Sequence, residues 1–124
     1  MAGKFPTTVR QAILTFHFAD RIKAELLLAS RLLLTLNQLK GPDQDGGRRV
    51  FVDFLRGLEG EVNLGHMQID DPEMIRVRTV MTGLIGMVDA GMTQDLQSHL
   101  SWMISQMATY AQRAMELLLK EKLL

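Results

Sequence analysis

Seven of the eleven residues from Leu26 to Leu36 are leucine. A run this apolar cannot all face water, so the rest of the chain has to be arranged to cover it. The segment around it is a helix by every local criterion. No proline or glycine interrupts Thr8 to Leu39, and the residues are mostly strong helix formers. Pro6 with Thr7 or Thr8 can start the helix, and Gly41 and Pro42 stop it. At about 1.5 Å per residue it would be roughly 48 Å long. Leu26, Ala29, Leu33 and Leu36 form one stripe, and Leu28, Leu32 and Leu39 widen it. Leu27 and Leu34 fall further round, nearer Arg31, Thr35 and Gln38. An apolar arc this wide predicts contact with at least two neighbours. A membrane span is excluded, because Arg21, Lys23, Glu25 and Arg31 break the run.

Three further helices are expected. Lys40 to Gly47 has the composition of a loop, with Asp45 as a helix cap. A second helix then runs from about Arg48 to Leu64 on the stripe Phe51, Leu55, Leu58 and Val62. Asp71, Pro72 and Glu73 start a third, which carries Met74, Val77, Met81, Leu84 and Val88 and ends at Gly91. Thr93 caps a fourth, running to about Lys120. Its stripe is Leu96, Leu100, Met103, Met107, Tyr110, Ala114 and Leu117, a heptad-like seam that any bundle helix also shows. No strand pattern is present. Short connections make neighbouring helices antiparallel, so the expectation is an all-α, up-down-up-down four-helix bundle with long first and fourth helices. It forms a single domain over residues 1–124, with an N-terminal arm at 1–6 and a frayed tail at 121–124.

Composition removes whole classes of function. There is no cysteine, hence no disulfide, thiol catalysis or thiolate metal site. That fits a cytoplasmic protein. Lys and Arg total 14 and balance 14 Asp and Glu, which argues against a dedicated nucleic-acid binder. The start MAGKFPTT lacks the apolar core of a signal peptide.

The expected helix lengths carry a consequence. If the second and third helices are each roughly 27 Å long, the first and fourth overhang them at one end. The overhang would carry Ile13, Phe16 and Phe18 on the first helix and Tyr110, Leu117 and Leu118 on the fourth. An apolar patch of that kind marks an interface, with a second copy as the simplest partner. Methionine points the same way. Met74, Met81, Met103 and Met107 lie on the last two helices. They could line a groove that accepts an amphipathic helix of another protein.

Chemical sites are weakly signalled. His17 and His66 fall toward one end with Asp70 nearby, a donor set that suits zinc, iron or manganese. Neither HExxH nor a di-iron Glu-x-x-His pair is present. Ser98, His99 and Ser101 are too close in sequence to converge on one helix. Asp45 to Arg49 offers two glycines and two arginines to an anion, but without a preceding strand or a P-loop lysine. Arg48, Arg49, Arg56, Arg76 and Arg78 read as a solvated face, since no aromatic side chains interleave them.

The leucine-rich helix, Gly46-Gly47 before the next helix, and the Asp71-Pro72-Glu73 start resemble the flagellin-binding flagellar export chaperones over about residues 26–90. The resemblance implies a small helical chaperone that holds flagellin before export. The family's N-terminal tyrosine-containing motif has no counterpart here. Taken together, the residues predict a non-enzymatic, homodimeric helical adaptor or chaperone-like protein without a cofactor. The alternative is a metal-binding bundle using His17 and His66.

Overall fold

The computed structural model describes residues 5–124, and all regular structure among them is helical. Helices α1 (Val9–Gln38), α2 (Gly41–Gln68), α3 (Pro72–Asp89) and α4 (Leu96–Lys120) form an up-down-up-down bundle. No helix is long and apolar enough to cross a membrane among the described residues.

Each helix starts where the chain can satisfy its free backbone N–H groups. Thr8 and Gln11 form a reciprocal capping box at α1: the Gln11 N–H donates to Thr8 Oγ1 at 3.1 Å, and the Thr8 N–H donates to Gln11 Oε1 at 3.3 Å. Asp71 caps α3 by accepting from the Glu73 N–H at 3.3 Å, with Pro72 in the first turn. The expected cap at Thr93 is not used. Thr93 is buried and its carbonyl accepts from Asn37 Nδ2 at 3.2 Å, while Asp95 occupies the N-cap position of α4 without a side-chain bond. Gly91, at φ +80°, closes α3: the Gly91 N–H bonds Val88 O and the Met92 N–H bonds Met87 O. The same pattern closes α4, through Lys122 to Leu119 O and Leu123 to Leu118 O.

The largest departure from expectation is α2. Lys40 to Gly47 is not a loop; α2 begins at Gly41, with Pro42 and Asp43 in its first turn. Tertiary packing overrides the two glycines. A Cβ at Gly47 would lie 3.0 Å from Leu39 Cδ1 and 3.2 Å from Leu36 Cδ1, so the bare backbone lets α2 close onto the end of α1. Asp45 is therefore no cap and instead pairs with Arg48 at 3.6 Å. With 28 residues α2 is about 42 Å long, and only α3 is short.

The leucine run is also only partly covered. Leu26, Leu33 and Leu36 enter the core with Ala12, Thr15, Ala19, Ile22 and Ala29. Leu27, Leu28, Leu32 and Leu34 stay 44–57% exposed. Small residues on both helices let α1 approach α4 most closely of all pairs, and Ala111 and Ala114 answer from α4. Ser30 and Gln97 lock that pair, with Ser30 Oγ donating to Gln97 Oε1 at 2.6 Å and Gln97 Nε2 donating to Ser30 O at 2.9 Å. The α3–α4 pair touches least. Met74, Met81, Met103 and Met107, all fully buried, fill the wider space there. Phe5 packs on the core and Pro6 is buried; the remainder of the expected arm lies outside the described residues. Residues 121–124 are exposed.

The glycines divide into those the packing requires and those it does not. A Cβ at Gly65 would meet Ile22 Cδ1 at 2.9 Å, whereas Gly60 and Gly86 face open space. Gly60→Ala and Gly86→Ala should each raise unfolding free energy by about 1 kcal/mol. Gly65→Val should lower it by about 1–3 kcal/mol. Urea titration followed by circular dichroism reads all three.

Candidate functional site

The overhang exists, but its own packing covers much of it. Ala12, Ala114 and Leu118 form a small buried cluster where α1 and α4 extend past the other helices, with Val9, Phe16 and Leu117 around it. Of the six expected interface residues, Tyr110 and Leu118 are buried within the protomer. Phe16, Phe18 and Leu117 are half-buried, and only Ile13 is largely exposed. The alanines explain this: they bring two helices close enough to cover side chains that wider-spaced helices would leave bare. The Tyr110 hydroxyl is not available to a partner either, since it donates to the Asp71 carboxylate that caps α3. Burial, and then the bond to Asp71 and its charge, push the Tyr110 hydroxyl far above its ordinary pKa of 10.0.

The methionine groove is corrected in the same way. Met74, Met81, Met103 and Met107 are interior residues with no exposed surface. The α3–α4 surface carries a hollow of about 130 Å³ lined by Val80, Gly83, Leu84, Met87 and His99. Trp102 is half-buried beside it, with the Arg76 guanidinium 5.4 Å from its ring centre.

His17, His66 and Asp70 do not assemble into a ligand set. Among the described residues no three His, Asp or Glu side chains are placed to hold a metal. His17 and Asp70 are exposed, and half-buried His66 has its Nδ1 enclosed without a partner. Asp45 to Arg49 lies inside α2, where its N–H groups are committed to the helix rather than free for an anion. Three of the five arginines have local partners: Arg48 on Asp45, Arg76 on Glu73 at 3.1 Å, and Arg78 Nε on Asn63 Oδ1 at 3.0 Å. Ser98, His99 and Ser101 are all exposed, and Ser98 Oγ donates to Asp95 O.

The surface that does stand out lies on the outer side of α1 and α2. A cavity of about 230 Å³ opens there, lined by Leu32, Thr35, Leu36, Leu39, Gly47, Val50 and Phe51. Thr35 contributes the one polar side chain. Leu28 and Leu32 lie one turn apart along its α1 edge, and Val50, 71% exposed, stands on the α2 edge. Further along the same face Arg21 joins Glu61 of α2 at 2.8 Å and Glu25 at 3.5 Å. Partial burial first, and Glu61 second, raise the Glu25 carboxyl above its usual range. The sequence expectation put Leu28, Leu32 and Leu39 on an arc covered by neighbouring helices, whereas Leu28 and Leu32 stay largely exposed. A loop over 40–47 also left no helical wall at Gly47 opposite those leucines, where α2 in fact begins at Gly41.

Compared with known proteins, the chain matches no family model, no curated protein and no solved structure.

Two outcomes test these placements. Tyr110→Phe should lower stability by about 1–3 kcal/mol, because it strips a donor from the half-buried Asp71 carboxylate. The unfolded chain ionises tyrosine near its ordinary value while the folded chain resists. The wild type should therefore lose stability as pH rises above 10.0, and the variant should lack that slope. Unfolding titrations at pH 8 to 11 measure both. Under mild peroxide, exposed Met67 and Met92 should oxidise well before Met74, Met81, Met103 and Met107, as read by peptide mass spectrometry.

Proposed function

We propose that this chain is a non-enzymatic, cytoplasmic protein–protein interaction module, a helical adaptor or chaperone-like protein that binds through the outer face of α1 and α2. The observation that carries this is the apolar cavity between Leu32, Leu39, Gly47, Val50 and Phe51, flanked by exposed Leu28. Contiguous apolar surface with a concavity is what helix-in-groove recognition requires. Leu28 and Leu32 leave 54% and 44% of their surface in water, apolar area that a binding partner would cover. The absence of cysteine suits a reducing compartment. A chaperone-like role would use the same groove to hold an amphipathic helix.

Photocrosslinking in the native cell tests the reading. A benzophenone side chain placed at Val50 should give discrete protein adducts, and one at exposed Arg56 of α2 should give few. Leu32→Glu should suppress the Val50 adducts. Equal yields at the two positions, or none at either, would reject this face as a binding surface.

A further inference from the structure

We infer that the occupant of the α1–α2 face is a second copy of this chain, set with its α1 over the first copy's α2 about a twofold axis parallel to the helices. The inference rests on the reading of that face as a protein-binding surface and adds the identity and orientation of the partner.

Size is the first argument. Two helices side by side, each about 10 Å across and about 40 Å long, present roughly 800 Å², close to what one partner contributes to a standard stable interface. Charge is the second. The chain is neutral overall, with 14 basic and 14 acidic residues, so two copies meet without long-range repulsion.

The distribution of charge on the face sets the orientation. By helical phase Arg31 lies on the edge of α1 remote from α2, and Asp53 lies on the edge of α2 remote from α1. Both are exposed, and neither has an ion-pair partner among the described residues. A twofold axis along the bundle brings each α1 edge over the partner's α2 edge. Gly47 of α2 lies against Leu36 and Leu39 of α1, and Gly65 against Ile22 and Phe18, a register that sets Asp53 level with Arg31 along the bundle. The contact then occurs twice, as an isologous interface requires. An axis across the helices would instead set α2 against α2 and bring Asp53 toward its own copy.

Shape agrees with the same arrangement. By the same register Leu28 stands level with Gly57, and a twofold axis along the bundle sets it over Gly57 of the partner. Gly57 faces open space in the protomer, with nothing within 4 Å of where a Cβ would be. A bare backbone there gives room for the incoming leucine.

Light scattering and sedimentation of the purified protein test this. The expected result is twice the 14.0 kDa chain mass at tens of micromolar. Val50→Glu and Leu32→Glu should shift it to monomer while circular dichroism shows the helices retained. Arg31→Glu alone and Asp53→Arg alone should each weaken the dimer by about tenfold at low salt. The double variant, which restores opposite charges in both contacts, should recover most of the loss. A monomer at about 100 µM whose Val50 position still crosslinks to other proteins would overturn the second copy as occupant and leave the binding-module reading standing. A dimer indifferent to Leu32→Glu and Val50→Glu would overturn this face as its seat. A double variant no tighter than the single ones would overturn the orientation.

Discussion

The close seating of α1 on α4 is the contact on which the rest of the structure depends. Ala12, Thr15, Ala19 and Ala29 are buried on one helix and Ala111 and Ala114 on the other, and Ala12 packs with Ala114. A helix buries one stripe, and its rotation about its own axis decides which residues form it. Once the alanines turn toward α4 and the bundle axis, Leu26, Leu33 and Leu36 follow them inward. Leu27, Leu28, Leu32 and Leu34 are then carried to the flanks and outward. The exposed leucines are thus a geometric result of where the small residues are, since no rotation of α1 could bury all seven.

The same choice shapes the opposite side of the bundle. Close approach of α1 and α4 leaves α3 and α4 further apart, and side chains with reach must fill the space. Methionine does so with an unbranched, adaptable chain. Met74, Met81, Met103 and Met107 are accordingly interior, and their abundance reports on packing geometry rather than on an open surface. Tyr110 adds a polar tie at the end of that seam, fastening α4 to the aspartate that starts α3.

The outer face of α1 and α2 combines features that interior packing does not explain. Val50 stands in solvent, Gly57 lies bare, and Leu32 and Leu39 wall a cavity with almost no polar lining. Arg31 and Asp53 flank it on opposite edges. Apolar surface with edge charges of opposite sign is the pattern of an interface whose centre excludes water and whose rim sets register.

Much of this architecture was legible in the residues themselves. The stripes Leu26–Ala29–Leu33–Leu36, Phe51–Leu55–Leu58–Val62 and Leu96–Leu100–Met103–Met107 placed the core, because helical period alone determines which side chains share a face. Pro6 with Thr7 or Thr8, Asp71 with Pro72, and Gly91 marked helix ends, because capping is a local interaction. What local chemistry could not settle was how near each helix comes to its neighbours. That separation turned Gly46 and Gly47 from a loop into the first turns of α2, drew Tyr110 and Leu118 inside, and left His17, His66 and Asp70 apart. The amino-acid sequence by itself determined four helices and their buried stripes, since both follow from backbone hydrogen bonding and a period of 3.6. Only the tertiary structure decided which of the remaining apolar residues would meet water, since that depends on interhelical distance, and interhelical distance is set jointly by side chains far apart in the chain.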